Sequence, residues 1–193
     1  MPAPEVPHAP SRLEIGVDVP WVTSWSGEAV GRVGPCLSID GALAVSQASR
    51  PGHGKPLYSR NHLFRQRRSV REMLCPMCGR PTDASDRWSQ TGRWTTAGTL
   101  RGRGFAKALP PTLEDARPLL DAGAIAPLHR ACAERALLHC PHLKGLEDRT
   151  LKAFPAAWIV VPLTVEAKPP PGPARARPVA AVSFLQLLGV ADA

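Results

Sequence analysis

The spacing of cysteine and histidine constrains this chain more than any other feature. Cys75-Pro76-Met77-Cys78-Gly79 sets two thiols either side of two residues, with a glycine directly after them. A tight turn over such a knuckle aims successive backbone N–H groups at the sulfurs, and Gly79 accommodates the left-handed backbone that closes it. Two thiolates fill half of a tetrahedral shell, so a second pair is expected elsewhere. It stands at His129-Arg130-Ala131-Cys132, just after Pro127 and at the start of an Ala/Leu-rich run that favours helix. At i and i+3, His129 and Cys132 share one helical face. Cys75, Cys78, His129 and Cys132 are therefore the expected ligands, with Cys140 or His142 as substitutes for His129. The alternative is a knuckle standing alone, with Cys132 and Cys140 as small buried residues of the helix.

Thiolates and imidazole form a soft donor set that suits Zn2+, and four protein donors leave no coordination position for water. An ion held that way contributes folding energy rather than Lewis-acid chemistry. With three ligands the inference reverses. A redox Cys-x-x-Cys should lead into a helix, which Gly79-Arg80-Pro81 interrupts.

Between the two pairs, residues 86–97 alternate about Thr91-Gly92 and predict a hairpin. Knuckle, hairpin and then a helix carrying the second ligand pair is the order of a treble-clef zinc unit, which residues 72–143 resemble. The segment is also similar to uncharacterised actinobacterial and phage-like proteins in which the knuckle precedes an Ala-rich helix ending in Cys-Pro-His-Leu, here Cys140-Pro141-His142-Leu143. The resemblance implies a structural zinc ion and an α+β fold of short antiparallel strands and a few helices around it. About 50 residues separate Cys78 from His129, room for an inserted helix capped at Thr112-Leu113-Glu114-Asp115 and running towards Ala122.

A chain of 193 residues, 44% of them apolar, suits one domain with its own core. No run approaches the roughly 20 apolar residues that span a bilayer. The N-terminus shows neither a basic nor an apolar signal region, so a cytoplasmic location is the expectation, and no membrane partner. Five cysteines, an odd number, favour metal ligation over a disulfide frame there. Prolines mark residues 1–11 as a tail and 168–178 as a loop. The domain is then residues 12–193, closing with a strand pair over 156–188 on either side of that loop, with a short helix as the alternative for the second run. Pro162 requires an edge or a bulge. Residues 13–17, 21–25 and 42–47 are shorter strand candidates.

Positive charge is regional. Residues 50–107 hold 13 basic and 3 acidic residues, whereas the flanks are close to neutral. Residues 60–73 read as a helix with Leu63, Val70 and Met73 as its apolar stripe. Arg60, Arg65, Arg67, Arg68 and Arg71 on that helix, with Arg87 and Arg93 beside Trp88 and Trp94, are the candidates for binding nucleic acid or an acidic protein. Competing readings are a small-molecule enzyme with a pocket formed by Trp21, Trp25 and His62, and a phage-like structural component. Arg60-Asn61-His62 superficially fits an HNH nuclease, but the 86–97 segment lacks the histidine which that chemistry needs on its hairpin. No Gly-rich phosphate loop, H-E-x-x-H or G-x-S-x-G is present.

Overall fold

The computed structural model describes residues 9–140, 143, 145, 148–167 and 178–191. In chain order the strands are β1 (Thr23–Trp25), β2 (Val30–Pro35), β3 (Leu43–Gln47), β4 (Pro56–Asn61), β5 (Trp88–Ser89), β6 (Arg93–Thr96), β7 (Pro118–Gly123), β8 (Lys152–Ala153), β9 (Ala157–Ala167) and β10 (Val179–Val190). The helices are α1 (Leu63–Arg71), α2 (Ala97–Leu100) and α3 (Arg130–His139). The fold is α+β with mostly antiparallel pairing, as expected.

The apolar run that ends the described chain builds the main sheet. β10 pairs antiparallel with β9 along its whole length, from Val179↔Ala167 to Val190↔Ala157. That occupies one edge of β10. Two strands share the other edge: β3, parallel at Val182↔Ala44, and β7, antiparallel from Leu187 to Val190. β2 and β6 extend the sheet outward from β3 and β7. Successive residues of a strand face opposite sides, and both faces of β10 are covered. Leu185 and Leu187 pack with Val70 of α1 and with Met73 just after it, while Leu188 packs with Leu100, Leu109 and Leu119. The second C-terminal run is thus strand. Pro162 lies in β9, which pairs only with β10 among the described residues, so its missing N–H falls on an edge strand.

Sharing one edge between β3 and β7 leaves Leu185 without a strand partner on that side. Gln66 of α1 fills the gap. Its Nε2 donates to Leu185 O at 2.7 Å and Ala124 O at 2.9 Å, and its Oε1 accepts from Leu185 N at 3.0 Å. A glutamine therefore takes over the pairing that a strand would have supplied.

α1 begins with a cap made by His62. Its Nδ1 accepts from Arg65 N at 3.3 Å, and its Nε2–H donates to Ala48 O at 3.0 Å. Both ring nitrogens are committed, so the neutral tautomer suits the site. Beside it Glu28 makes a bidentate pair with Arg65, both contacts at 2.8 Å, and accepts from Trp25 N at 2.8 Å. Glu28 and Arg65 are each 4% exposed. His62 and Glu28 are thus structural, and neither is a free acid or base.

Three local expectations are corrected. The segment around Thr91-Gly92 turns, with Gly92 N donating to Ser89 Oγ at 2.9 Å, but its two arms separate: β5 pairs with β8 and β6 with β7. Residues 118–123 form a strand, not the end of a helix. Leu119 and Leu120, both fully buried, face two different core clusters on opposite sides of the sheet, as the alternation of a strand places adjacent residues. Residues 13–17 form no strand, and only Ile15 bridges, to Val19. Of the predicted tail, Pro10 bridges His53; the rest of it up to residue 8, and the proline loop over 168–177, lie outside the described residues. No helix among the described residues is long and apolar enough to cross a membrane.

Replacing Glu28 with glutamine should cost about 3–5 kcal/mol, because Arg65 keeps its buried charge without a counter-ion; urea unfolding measures it. Acid should destabilise the fold through the same cluster. Burial, more than the nearby Arg65 charge, depresses His62 below its ordinary 6.5, so the unfolded chain binds this proton first and stability falls as pH drops through 6.5. Burial opposes the ionised form of Glu28, but the hydrogen bonds from Arg65 and Trp25 outweigh it and hold its pKa below 4.5. Its contribution, present above 4.5, is lost on further acidification through the lower folded value. Unfolding midpoints at about pH 7.5 and about pH 5 should show the decline.

Candidate metal centre

Residues 74–81 fold back on themselves to form the knuckle. Leu74 bridges Pro81, Cys75 N donates to Arg80 O at 2.8 Å, and Gly79 N donates to Cys75 O at 2.7 Å. Gly79 has φ +76°, and a Cβ there would lie 2.8 Å from the ring of Trp21. Glycine is required on both counts. The backbone N–H groups of Cys78, His129 and Met77 face the Cys75 sulfur.

The chain before β1 straps this turn from outside. Trp21 N donates to Met77 O at 2.8 Å and Val22 N to Pro76 O at 3.0 Å. Arg135 of α3 reaches the same segment, donating to Gly16 O at 2.8 Å.

The second pair is positioned by β5 and by the start of α3. Trp88 and Leu128 exchange two backbone hydrogen bonds of 2.9 Å, which fixes the chain just before His129. Asp86 Oδ1 accepts from Arg130 N at 2.8 Å and so caps the helix, while Ala133 N donates to His129 O at 2.9 Å. Cys132 follows in the first turn. Met77, Leu128 and Ala133 pack around Cys75 in a small core of their own.

One donor atom from each of Cys75, Cys78, His129 and Cys132 lies within 4.8 Å of all the others. Donors of a tetrahedral zinc–thiolate site are separated by about 3.8 Å, as Zn–S bonds near 2.3 Å require, so an ion would draw the set slightly inward. His129 Nδ1 is 3.4 Å from Cys78 Sγ and 4.0 Å from Cys132 Sγ. Its other nitrogen, Nε2, donates to Pro81 O at 2.9 Å. That bond fixes the tautomer and leaves the Nδ1 lone pair facing the sulfurs, the usual arrangement of a ligating histidine. Without a cation Cys75 and Cys132 resist ionisation. Burial raises the Cys75 thiol, and burial followed by the charges of Cys75 and Cys78 pushes Cys132 up to about 12. The group is a Cys3His set positioned to bind a metal ion. Cys140, at the far end of α3, is not part of it; His142 lies outside the described residues.

The arginines divide. Arg65 and Arg67, expected on the surface, are buried: Arg65 is neutralised by Glu28, and Arg67 donates to Ser183 O and Val45 O. Neither reaches a surface partner, because α1 packs with one face on β10 and another against the segment around Glu28. Arg68 pairs with Glu72 and Arg71 with Asp40 on the surface. Arg87 lies 5.0 Å from the Trp158 ring, and Arg130 covers Trp88 at 4.8 Å. Arg60 and Arg93 are exposed, and their guanidinium groups have no partner among the described residues. Trp94, next to Arg93 on the edge strand β6, is 51% exposed. The proposed Trp21/Trp25/His62 pocket does not form. Trp21 covers Gly79, His62 is fully buried, and only Trp25 lines the cavity of about 560 Å³ near Arg60.

Sequence reasoning did not find Pro81 as the group that orients His129, nor Trp21 and Arg135 as the strap. No spacing rule connects residues 48 or 119 positions apart. Nor does local spacing mark Asp86 as the cap of a helix 44 residues later.

No family model, curated protein or solved structure matches this chain.

Removing metal with a chelator should loosen the 72–81 and 127–133 segments, read as faster amide exchange there than in β9 and β10. Co2+ titration should give thiolate-to-metal charge-transfer absorption in the parent protein and a weakened band in Cys78→Ser.

Proposed function

We propose that this chain is a zinc-stapled binding protein that docks nucleic acid through its exposed basic residues. The convergence of three sulfurs and the His129 Nδ1 carries the zinc half of the reading. Four protein donors, one of them oriented through Pro81 O, suit a closed tetrahedral shell in which the ion joins chain segments and leaves no place for a substrate. Hydrolytic or lyase chemistry at the ion has no open position to use. The knuckle and the helix start keep two of the three parts of a treble clef.

The nucleic-acid half is supported by the excess of positive charge in residues 50–107 and by an Arg93 unpartnered among the described residues and a half-exposed Trp94 on the same edge strand. Exposed arginines suit phosphates and an exposed aromatic ring suits a stacked base. Arg60 and Arg103 are also exposed. Arg65 and Arg67 take no part in this surface, and Arg68 and Arg71 contribute less net charge because carboxylates already accompany them.

The purified protein should contain one zinc per chain. Single-stranded oligonucleotide should bind with log K falling linearly against log salt, and Arg93→Ala should reduce that slope by about 1. Absence of binding at low salt, or binding indifferent to salt, removes the nucleic-acid half. Binding of polyglutamate in place of oligonucleotide would transfer the surface to an acidic protein partner.

A further inference from the structure

Arg67 is buried to 2% exposure without a counter-ion. Its neighbour in α1, Arg65, meets both oxygens of Glu28. Arg67 instead donates from Nη1 to Ser183 O at 2.9 Å and from Nη2 to Val45 O at 3.1 Å, both neutral carbonyls, and its Nε has no partner. No carboxylate lies within ion-pair distance of it among the described residues. An isolated buried cation carries a large desolvation penalty, which two carbonyl dipoles offset only in part. Burial accordingly pushes the guanidinium below its ordinary range, an effect that the nearby Cys36 thiol opposes.

A cavity of about 310 Å³ opens beside this group, between β2, β3 and the side of α1 that carries Phe64. Arg67, Arg32, Cys36 and Phe64 contribute to its lining, and no aspartate or glutamate does. Arg32, on β2, is exposed, and its guanidinium has no partner among the described residues. Gln47 also lines the cavity, but its amide is committed to Ser24, Glu28 and Leu63. Ser46 is likewise occupied, donating to Arg32 O at 2.7 Å. Two arginines without a carboxylate partner among the described residues thus line one opening that supplies no anion.

We propose that this cavity is a binding site for a small phosphate-bearing ligand, with Arg67 and Arg32 as its two cationic contacts. The two carbonyls take two of the five N–H donors of Arg67, whereas Arg32 has its whole fork. A tetrahedral oxyanion can place two oxygens on the Arg32 fork and still direct a third towards the Arg67 charge. A planar carboxylate has only two oxygens and is satisfied by the fork alone. The volume lies at the low end of ligand pockets, room for a phosphate with a small organic group and not for a continuous polymer backbone. Phe64, 38% exposed, gives that organic group an apolar wall. The site is independent of the metal centre and of the nucleic-acid reading.

The test uses the full, metal-loaded chain with inorganic phosphate and phenyl phosphate, against chloride and acetate at matched ionic strength. Thermal unfolding should shift upward in phosphate and further in phenyl phosphate, and not in chloride or acetate. Arg32→Ala, a change at an exposed side chain, should weaken phosphate binding by about tenfold or more, the loss expected for charge-assisted hydrogen bonds. Arg67→Met should abolish the shift; should that variant not fold, Arg32→Ala decides alone. Equal shifts in the parent and Arg32→Ala would mean an adventitious ion only and overturn the proposal. So would an acetate shift equal to that of phosphate, or no shift at all. A phosphate shift that appears only in Cys36→Ala would make the thiol the partner of Arg67 and overturn it as well.

Discussion

Three thiols cannot all ionise within 4.8 Å of one another unless a cation stands between them. The arrangement around the knuckle follows from that constraint. The donors are held by backbone: a turn that aims N–H groups at Cys75, a two-bond bridge between Trp88 and Leu128, and a strap of hydrogen bonds from Trp21 and Val22. A metal ion bound there would tie the knuckle to α3 across some 50 residues of chain. The entropy of closing a loop of that length rises only slowly with the number of residues. The intervening chain is no idle insertion either, since it supplies β6 and β7 to the main sheet. Knuckle and sheet therefore depend on one another.

α1 organises the other half. Its sequence is dominated by arginine, and besides the apolar Leu63 and Val70 it turns polar side chains inward: Gln66 laces it to β10, Arg65 meets Glu28, and Arg67 joins β3 to β10 through two carbonyls. A buried network of this kind is costly when any member lacks a partner and specific when all have one. Gln66 is fully matched and Arg65 has its charge met by Glu28, although the Nε of Arg65, like that of Arg67, has no partner. Arg67 satisfies two of its donors and leaves its charge open, which makes the cavity beside it chemically distinct from the rest of the β3 region.

Much of the candidate centre was legible in the sequence. Two thiols either side of two residues, closed by glycine, admit few backbone paths, and a histidine and cysteine one helical turn apart must share a face. The C-terminal strand pair and the edge position of Pro162 were legible for similar reasons, through β-branched residues and a missing donor. The alternation at residues 86–97 located a turn correctly but paired its arms wrongly. A two-residue strand has little intrinsic preference for its neighbour, and β7 offered β6 a longer partner. Thr112-Leu113-Glu114-Asp115 carries a helix-capping pattern, yet Leu119 and Leu120 are drawn to opposite faces of the sheet, and burial of two leucines outweighs a local cap.

Which atoms can grip an ion, and where the regular elements carrying them begin, follow from local spacing and can be read from the residues alone. Which charges face water follows instead from long-range packing. Arg65, Arg67 and Arg68 are nearly adjacent in the chain, but a helix turns successive residues by about 100°. Neighbours in sequence thus meet Glu28, the β3–β10 seam and Glu72 respectively. Whether a charge is neutralised, stranded or exposed depends on what the rest of the chain brings opposite it.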